Sequence, residues 1–264
     1  MSQSSTDRRE FGYITSDERS SQWVCMPKGQ NISGYNMGII YIENVWYPMV
    51  PGNVVNAHTY DFPVRMKAVR GLDTPKLHAA APEAWDAILE AAMELRKEGV
   101  RAISGACGFF GHFQSQLADV LDIPVALSSL VQIPWIESSI SRRSRIGVLT
   151  ANAVAVTPQL LENCGISDAD RLAIKDLRHA PHFSAIMEDR GCFDNTQVRM
   201  EVVAAAEELV RDNPDVSAIC LECSDMPPYA YAVQRAVQLP VFDFTTMIRW
   251  LNNSVSAKPY AGWI

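Results

Sequence analysis

Two cysteines, Cys107 and Cys223, occupy the same place in two copies of one sequence unit. Each follows an Ala-Ile pair at the same distance, and each lies 17 positions before the proline of a Pro-Val pair, Pro124 in the first copy and Pro240 in the second. A thiolate is both a nucleophile and a base. Two thiols on opposite sides of one ligand could remove a proton from a carbon atom and return one from the other face. The pattern therefore predicts proton transfer that needs no cofactor.

The residues near these thiols bear on their acidity. Both cysteines are expected just beyond the carboxyl end of a strand, where the first amides and the dipole of the next helix would stabilise a thiolate. Glu222 and Asp225 flank the second cysteine and could raise its pKa, although Asp225 is also explained as a solvated helix cap. His112 could reach the first thiol, and His179 and His182 could line a cleft, although all three also fit surface or packing positions.

The other cysteines are interpreted as structural thiols: Cys25, Cys164, Cys192 and Cys220. Cys220-Leu-Glu-Cys223 is formally a Cys-x-x-Cys sequence. Its first cysteine lies inside an apolar strand pattern, whereas a redox pair of this type begins a helix at its first cysteine. No second cysteine pair stands at the ligand spacing of a structural zinc site. Neither a redox centre nor a metal site is therefore expected.

The composition excludes several classes of function. The chain has 264 residues, is 48% hydrophobic and has a net charge of −7. This supports a sizeable core and argues against binding of nucleic acid, which needs clustered Lys and Arg. The sequence has no apolar run long enough for a membrane span, no secretory signal at its start, and neither a Walker motif nor Gly-x-Gly-x-x-Gly. We expect a cytoplasmic protein without a nucleotide cofactor.

The hydrophobic pattern predicts strands that alternate with helices. Strands are expected at 37–42, 62–69, 100–104, 124–127, 145–150, 172–176, 216–221 and 240–242. Helices are expected at 82–97, 112–121, 129–141, 153–163, 195–212, 227–237 and 244–254. This alternation is typical of parallel sheets that are covered by helices on both faces. The segment 45–56, rich in Pro, Gly and Asn, is a long loop of the kind that often carries function.

The duplication divides the chain into two α/β half-domains. An N-terminal arm is expected at 1–33, a first half-domain at 34–143 together with 243–264, and a second half-domain at 144–242. Ligands of parallel sheets bind at the carboxyl ends of the strands, and both repeated cysteines are expected there. The fold class predicted is therefore α/β, with two pseudo-symmetric parallel-sheet half-domains and the active site between them.

Around both thiols the chain resembles the aspartate/glutamate racemase superfamily, which includes hydantoin racemase. The matching stretches are Gly105-Ala-Cys107-Gly-Phe in the first half and Leu221-Glu-Cys223-Ser-Asp-Met-Pro-Pro in the second. Arg145-Ile-Gly-Val-Leu-Thr-Ala-Asn152 resembles the opening of the second domain in that family. The resemblance covers roughly residues 36–254 and implies two flavodoxin-like half-domains, two catalytic cysteines, no cofactor and a homodimer or higher homo-oligomer.

The resemblance also implies how a small carboxylate substrate is held. In the family, backbone amides and small polar side chains next to the cysteines bind the carboxylate. The substrate-binding residues expected here are Gly108, Phe109, Ser224 and Asp225 as backbone donors, Thr150 and Asn152 as side-chain donors, and Asn53 and Asn56 in the long first loop.

The sequence departs from the amino-acid racemases close to the thiols. Ala106 precedes the first cysteine, Gly108 follows it, and Glu222 precedes the second. The leading interpretation is a racemase or epimerase of a small amino-acid-like carboxylate. The superfamily also contains dimethylsulfoniopropionate lyases, maleate isomerases and arylmalonate decarboxylases. A lyase with Cys223 as base is the alternative, and a non-catalytic carboxylate sensor is a third possibility.

Overall fold

The structure, a computed structural model, describes residues 26–264. Most of the predicted N-terminal arm, together with Cys25, lies outside the described residues. Residues 26–36 form neither helix nor strand, and the first strand begins at Met37. Among the described residues, no helix is both long and apolar enough to cross a membrane.

Eight strands form two parallel sheets in the described part of the chain. The first sheet contains β1 (Met37–Ile42), β2 (Val64–Val69), β3 (Ala102–Gly105) and β4 (Val125–Ala126), in the order β2-β1-β3-β4. The second sheet contains β5 (Arg145–Thr150), β6 (Leu172–Asp176), β7 (Val216–Leu221) and β8 (Val241–Phe242), in the order β6-β5-β7-β8. The predicted α/β class with two flavodoxin-like half-domains is confirmed.

The sequence repeat is also a repeat of strand register. Gly38 of β1 pairs with Ile103 of β3, and Gly147 of β5 pairs with Ile219 of β7. Both glycines lie where a helix packs closely on the sheet. A Cβ atom at Gly147 would lie 2.5 Å from a side-chain carbon of Leu209, so glycine is required there by space.

The helices surround the two sheets. They are α1 (Thr74–His78), α2 (Ala84–Lys97), α3 (Gln114–Val120), α4 (Ile133–Ser139), α5 (Pro158–Asn163), α6 (Ser184–Met187), α7 (Asn195–Asp212), α8 (Ala230–Val237) and α9 (Phe244–Val255). Short side chains fix several of the boundaries. Asp194 caps α7, Thr157 caps α5, and Asp243 and Thr246 form a capping box at the start of α9.

The predicted elements differ from the structure mainly at helix starts. Four expected helices begin as 3-10 turns, at Gly108–Phe113, Ser129–Gln132, Ala153–Ala155 and Pro227–Tyr229. The short helices α1 and α6 were not predicted. Strand β3 begins at Ala102 rather than at 100, because the Val100 N–H donates to the Leu95 carbonyl and completes the end of α2.

Two helices cross between the half-domains. Ile133 and Ile136 of α4, which follows the first sheet, pack with Ile146 and Val148 of β5. In return α9, which follows the second sheet, packs on β3 and β4 of the first. Its side chains share one core cluster with the first sheet: Phe244, Met247, Ile248, Leu251 and Val255 with Met37, Ile39 and Ala102. The two sheets are therefore joined by shared apolar cores.

Candidate active site

The two repeated cysteines lie at one cavity between the half-domains. Cys107 comes two residues after β3 and Cys223 two residues after β7, and both line a cavity of about 50 Å³. Both are free thiols. Cys223 is buried, whereas Cys107 keeps part of its surface accessible. The duplicated unit therefore delivers one thiol from each half to a common space.

The two thiols have the same backbone environment. Each sulfur accepts a hydrogen bond from the backbone N–H two residues further on, Phe109 for Cys107 and Asp225 for Cys223. Burial nevertheless raises the pKa of both thiols, and the nearby carboxyl groups of Glu222 and Asp225 raise it further. The expected stabilisation of a thiolate by a helix start is therefore outweighed here. Both thiols are therefore protonated in the resting cavity.

Asp225 is a buried partner of the second thiol and not the solvated cap that the sequence suggested. Its side chain is 8% exposed. The Cys223 Sγ–H donates to Asp225 Oδ2 at 3.5 Å, the Tyr47 hydroxyl donates to the same oxygen at 3.3 Å, and Asn53 donates to Oδ1. Burial raises the pKa of Asp225 to about 6, and these donors oppose the rise. The carboxyl group can therefore exchange protons near neutral pH.

Glu222 is a second buried carboxyl group at the cavity. It has no exposed surface. Its Oε2 atom accepts a hydrogen bond from Thr150 Oγ1 at 2.8 Å, and the Ala151 N–H also stabilises the carboxylate. Burial raises the pKa of Glu222 to about 7. From the sequence, Glu222 is expected only as a neighbour that raises the pKa of the Cys223 thiol. The available signal was a carboxylate placed directly after the apolar run Ala218–Leu221, where burial is expected.

The loop 43–56 brings first-half residues to the second thiol. Besides the contacts of Tyr47 and Asn53 with Asp225, the Val54 N–H donates to the Ser224 carbonyl at 3.4 Å. Tyr47 lines the cavity, and burial raises its pKa, so its hydroxyl stays a donor. The sequence predicts a functional role for the segment 45–56 but does not single out Tyr47, and the role stays a prediction.

His78, at the end of α1, is a lining residue that was not among the candidates from the sequence. Its ring lies 4.2 Å from that of Phe109 between centroids, and its Nδ1 atom lies 3.2 Å from Asn152 Nδ2. Burial lowers the pKa of His78 to about 4, so the ring is neutral at physiological pH. The missed signal is weak, because α1 itself is only five residues long.

The other three candidate histidines do not line the thiol cavity. His112 is buried, and neither of its ring nitrogens has a hydrogen-bond partner in the described part of the chain. It borders a separate open cleft instead, so the expectation that it reaches Cys107 is not supported. His179 and His182 are exposed and do not border the cavity. They lie in the loop before the buried helix α6.

Four of the expected substrate-binding residues line the cavity: Gly108, Phe109, Ser224 and Asp225. Their roles remain predictions. Two of these residues directly follow Cys107 and two directly follow Cys223, so both half-domains contribute to the cavity wall. The Ser224 hydroxyl donates to the Ala106 carbonyl at 3.0 Å and so ties the two corners together.

The other four lie behind or away from the cavity. Asn53 and Thr150 act through carboxyl groups, since Asn53 donates to Asp225 and Thr150 to Glu222. Asn152 contacts His78 and accepts from Arg178 at 3.1 Å, outside the cavity wall. Asn56 caps a 3-10 turn at Ala57–Thr59 and donates to the Met49 carbonyl, so its side chain is committed to the loop.

The cavity wall has an unusual balance of charge for a carboxylate site. It carries two carboxyl groups and the rings of Tyr41, Tyr47, His78 and Phe109, and neither Lys nor Arg is among its described lining residues. Aromatic faces and carboxylates attract organic cations. A bound carboxylate would have to rely on backbone N–H groups. Within residues 26–264, no group of three His, Cys, Asp or Glu side chains is arranged to hold a metal ion.

The sequence comparisons find lyases among known proteins. No protein-family model matches the chain. It is 28% identical over 223 residues to a dimethylsulfoniopropionate lyase of Durusdinium sp. clade D, a match that covers 82% of this chain and 73% of that protein. It is 30% identical over 222 residues to dimethylsulfoniopropionate lyase 7 of Emiliania huxleyi, covering 80% of this chain and 64% of that protein.

The structural comparisons find racemases and a decarboxylase. An allantoin racemase from Klebsiella pneumoniae superposes with a TM-score of 0.56 at 16% identity, covering 86% of this chain and 95% of that one. Arylmalonate decarboxylase gives 0.55 at 16% identity, over 84% and 94% of the two chains. The aspartate racemase of Picrophilus torridus gives 0.51 at 16% identity, over 86% and 96%. At this identity the likeness establishes the fold.

Proposed function

Because the chain has the fold of the aspartate/glutamate racemase superfamily, as its cysteine motifs predict, we propose that it is a cofactor-independent enzyme in which buried thiols move a proton at the carbon next to a carboxylate. We propose further that the reaction is a β-elimination from a small sulfonium carboxylate of the dimethylsulfoniopropionate type. The sequence relatives support this choice over racemisation, the leading interpretation of the sequence alone.

The observation that carries the proposal is the composition of the cavity wall. A sulfonium group is a soft organic cation, and the wall offers it aromatic rings and two carboxyl groups with no competing Lys or Arg. A substrate with two carboxylates, such as aspartate or a malonate, would meet like charge in the same place. The cavity therefore fits a substrate with a cationic end better than a dianion.

In the proposed reaction Cys223 is the base. Its thiol proton passes to Asp225, which already accepts the Sγ–H hydrogen bond. The thiolate then removes a proton from the carbon next to the substrate carboxylate. The electron pair of that C–H bond forms the new double bond, the C–S bond breaks, and the sulfur leaves as neutral dimethyl sulfide. The other product is acrylate.

A second candidate function, racemisation, is favoured by one observation. Both thiols line the same cavity, one from each half-domain, whereas elimination needs only one base. In a racemase one thiolate removes the proton, and the thiol on the opposite face delivers a proton to the carbon atom.

The test is a screen of small carboxylates in deuterated buffer, followed by proton NMR. Elimination gives alkene signals, with acrylate and dimethyl sulfide from dimethylsulfoniopropionate. Racemisation gives deuterium at the α-carbon of recovered substrate without an alkene, and a sensor gives binding without turnover. Full activity in the double variant Cys107→Ser, Cys223→Ser would disprove both thiol mechanisms.

A further inference from the structure

Glu222 has an oxygen atom that the fold leaves without a partner. Its Oε2 atom accepts a hydrogen bond from Thr150 Oγ1, and the Ala151 N–H stabilises the carboxylate, but the buried Oε1 atom has no hydrogen-bond partner in the described part of the chain. An unsatisfied buried polar atom destabilises a fold, so its presence calls for an explanation. A carboxyl group of this kind is poised either to accept a proton or, once protonated, to donate one.

The free oxygen points across the domain boundary to the first thiol corner. A Cβ atom at Gly108 would lie 1.7 Å from Glu222 Oε1, so the carboxyl group fills the space that a side chain would take next to Cys107. The backbone of Glu222 is held at the end of β7, where its N–H donates to the Leu149 carbonyl at 2.8 Å. A second-half residue is therefore built into the wall that carries the first-half thiol.

The charged group with the largest effect on the thiol pKa differs between the two cysteines. Among the charged neighbours that raise the pKa of Cys107, Glu222 has the largest effect, whereas for Cys223 the largest effect comes from Asp225. The titratable groups facing Glu222 are Cys107, Cys164, Cys220, Cys223 and Asp225. No cation stands among them to hold the carboxylate ionised.

We infer that Glu222 is the proton acceptor of the Cys107 thiol, so that the cavity holds two complete thiol–carboxyl pairs, one for each face of a bound carbon atom. Because Oε1 has no direct hydrogen bond with the thiol, the Cys107 proton moves to Glu222 Oε1 through a water molecule in the cavity and leaves a thiolate and a neutral carboxylic acid. The inference deepens the proposed function and depends on it for its catalytic meaning. It predicts that Cys107 can exchange protons independently of Cys223.

The test measures alkylation of Cys107 by iodoacetamide as a function of pH, read by peptide mass spectrometry in a Cys223→Ser background. With Glu222 present, the rate should rise with an inflection near pH 7, where this carboxyl group ionises. In Glu222→Gln the inflection should disappear, and the rate at pH 8 should fall by about tenfold or more because no internal acceptor remains. If Glu222 were only a negative neighbour, its removal would make Cys107 react faster, which would overturn the inference.

Two further variants keep the result interpretable. Glu137→Gln is a matched control, because Glu137 is another largely buried glutamate and does not line the cavity. Among the described residues its Oε1 atom accepts no hydrogen bond and has only a 4.0 Å ion pair with Arg171, so the substitution should leave the profile unchanged. If Glu222→Gln fails to fold, Thr150→Val removes one donor to Oε2 and should move the inflection to higher pH. An unmoved inflection refutes the inference.

The alkylation profile needs no substrate, so it separates the two claims. A chain that turns over no carboxylate, yet loses the inflection in Glu222→Gln, disproves the proposed function and keeps the inference. If the protein eliminates dimethyl sulfide but the Cys107 alkylation profile is the same with and without Glu222→Gln, the proposed function stands and the inference is disproved.

Discussion

At the scale of single residues, the two thiols share a backbone environment but differ in access and in acid partner. Cys223 is buried and hydrogen-bonded to Asp225, whereas Cys107 is partly accessible and has Glu222 as the charged neighbour with the largest effect on its pKa. A base for elimination needs a partner that removes its own proton before substrate arrives. In the structure only Cys223 already makes such a bond among the described cysteines that line the cavity.

This difference predicts unequal effects of serine substitution. Serine is a much weaker acid than cysteine, so Cys223→Ser should lower kcat/KM for elimination by about 10²–10⁴. Cys107→Ser should keep elimination to within about tenfold, whereas racemisation would be lost in both variants. The exposed Cys192 provides the control, and Cys192→Ser should be silent. Equal and large losses of elimination in both cavity variants would contradict a single-base mechanism.

Burial of Glu222 also predicts how stability depends on pH. Its pKa is about 7 in the folded protein and about 4.3 in an unfolded chain. Between these values the folded state retains a proton that the unfolded state releases, so this contribution to stability is complete below pH 4 and is lost as the pH rises to 7. The free energy of unfolding should fall from pH 4 to pH 8 in the unsubstituted chain because Glu222 loses its proton. In Glu222→Gln this fall should be smaller, by on the order of a few kcal/mol.

Urea unfolding at the two pH values measures that difference, with Glu137→Gln again as the matched control. The other titrating groups are the same in both proteins. Their contribution therefore cancels when the change in unfolding free energy between the two pH values is compared. An identical pH dependence in Glu222→Gln and the unsubstituted chain would show that the Glu222 carboxyl group titrates normally.

The sequence identified the thiols because a duplication is visible without knowledge of the fold. It could not identify Glu222 or His78 as lining residues, because burial between two half-domains depends on contacts far apart in the chain. The same ignorance of burial made Asp225 look like a solvated cap. Its position after Cys223 was evident, but its donors Tyr47 and Asn53 come from the other half.

At the scale of elements, the loop 43–56 determines how the second thiol corner is completed. Gly52 has a positive φ of 101°, and a Cβ atom there would lie 2.8 Å from Pro228 Cα, so the loop packs directly on the turn after Cys223. The two asparagines in this loop have different tasks. Asn53 reaches Asp225, while Asn56 supports only the loop itself.

These tasks can be separated by substitution. Asn53→Ala removes a donor from Asp225 and should reduce kcat/KM by roughly tenfold to a hundredfold. Asn56→Ala removes a cap and should lower the free energy of unfolding by about 0.5–2 kcal/mol with little change in activity. Steady-state kinetics and urea unfolding of both variants provide the comparison. A larger loss of activity in Asn56→Ala would show that the loop, and not the contact with Asp225, controls the site.

The boundaries of helices and strands were predicted correctly where features of the local sequence determine them. Strands β5, β6 and β7 and helix α7 have the predicted bounds, since each is marked by apolar periodicity and, for α7, by the Asp194 cap. The 3-10 turns after the thiols were missed because they depend on tertiary contacts. At Gly111, for example, a Cβ atom would lie 2.8 Å from the sulfur of Cys164 in the other half.

At the scale of the whole molecule, the pseudo-symmetry of the fold contrasts with the asymmetry of its charges. The sheets repeat one topology and one register, and each gives one thiol. Both carboxyl groups, however, come from the second half, and the loop that completes the site comes from the first. Neither half alone therefore contains the whole wall of the cavity. The homo-oligomer expected from the resemblance stays a prediction.

The exchange of α4 and α9 between the sheets predicts that the two halves unfold together. Since α4 packs its apolar side chains on β5 of the second sheet, and α9 packs on the first sheet directly after β8 of the second, separation of the sheets would expose both cores. All six tryptophans lie outside residues 144–242, so tryptophan fluorescence mainly follows the first half, whereas far-ultraviolet circular dichroism follows both. In urea the two signals should change at one midpoint. A fluorescence transition displaced from the circular dichroism transition would show two independently stable half-domains.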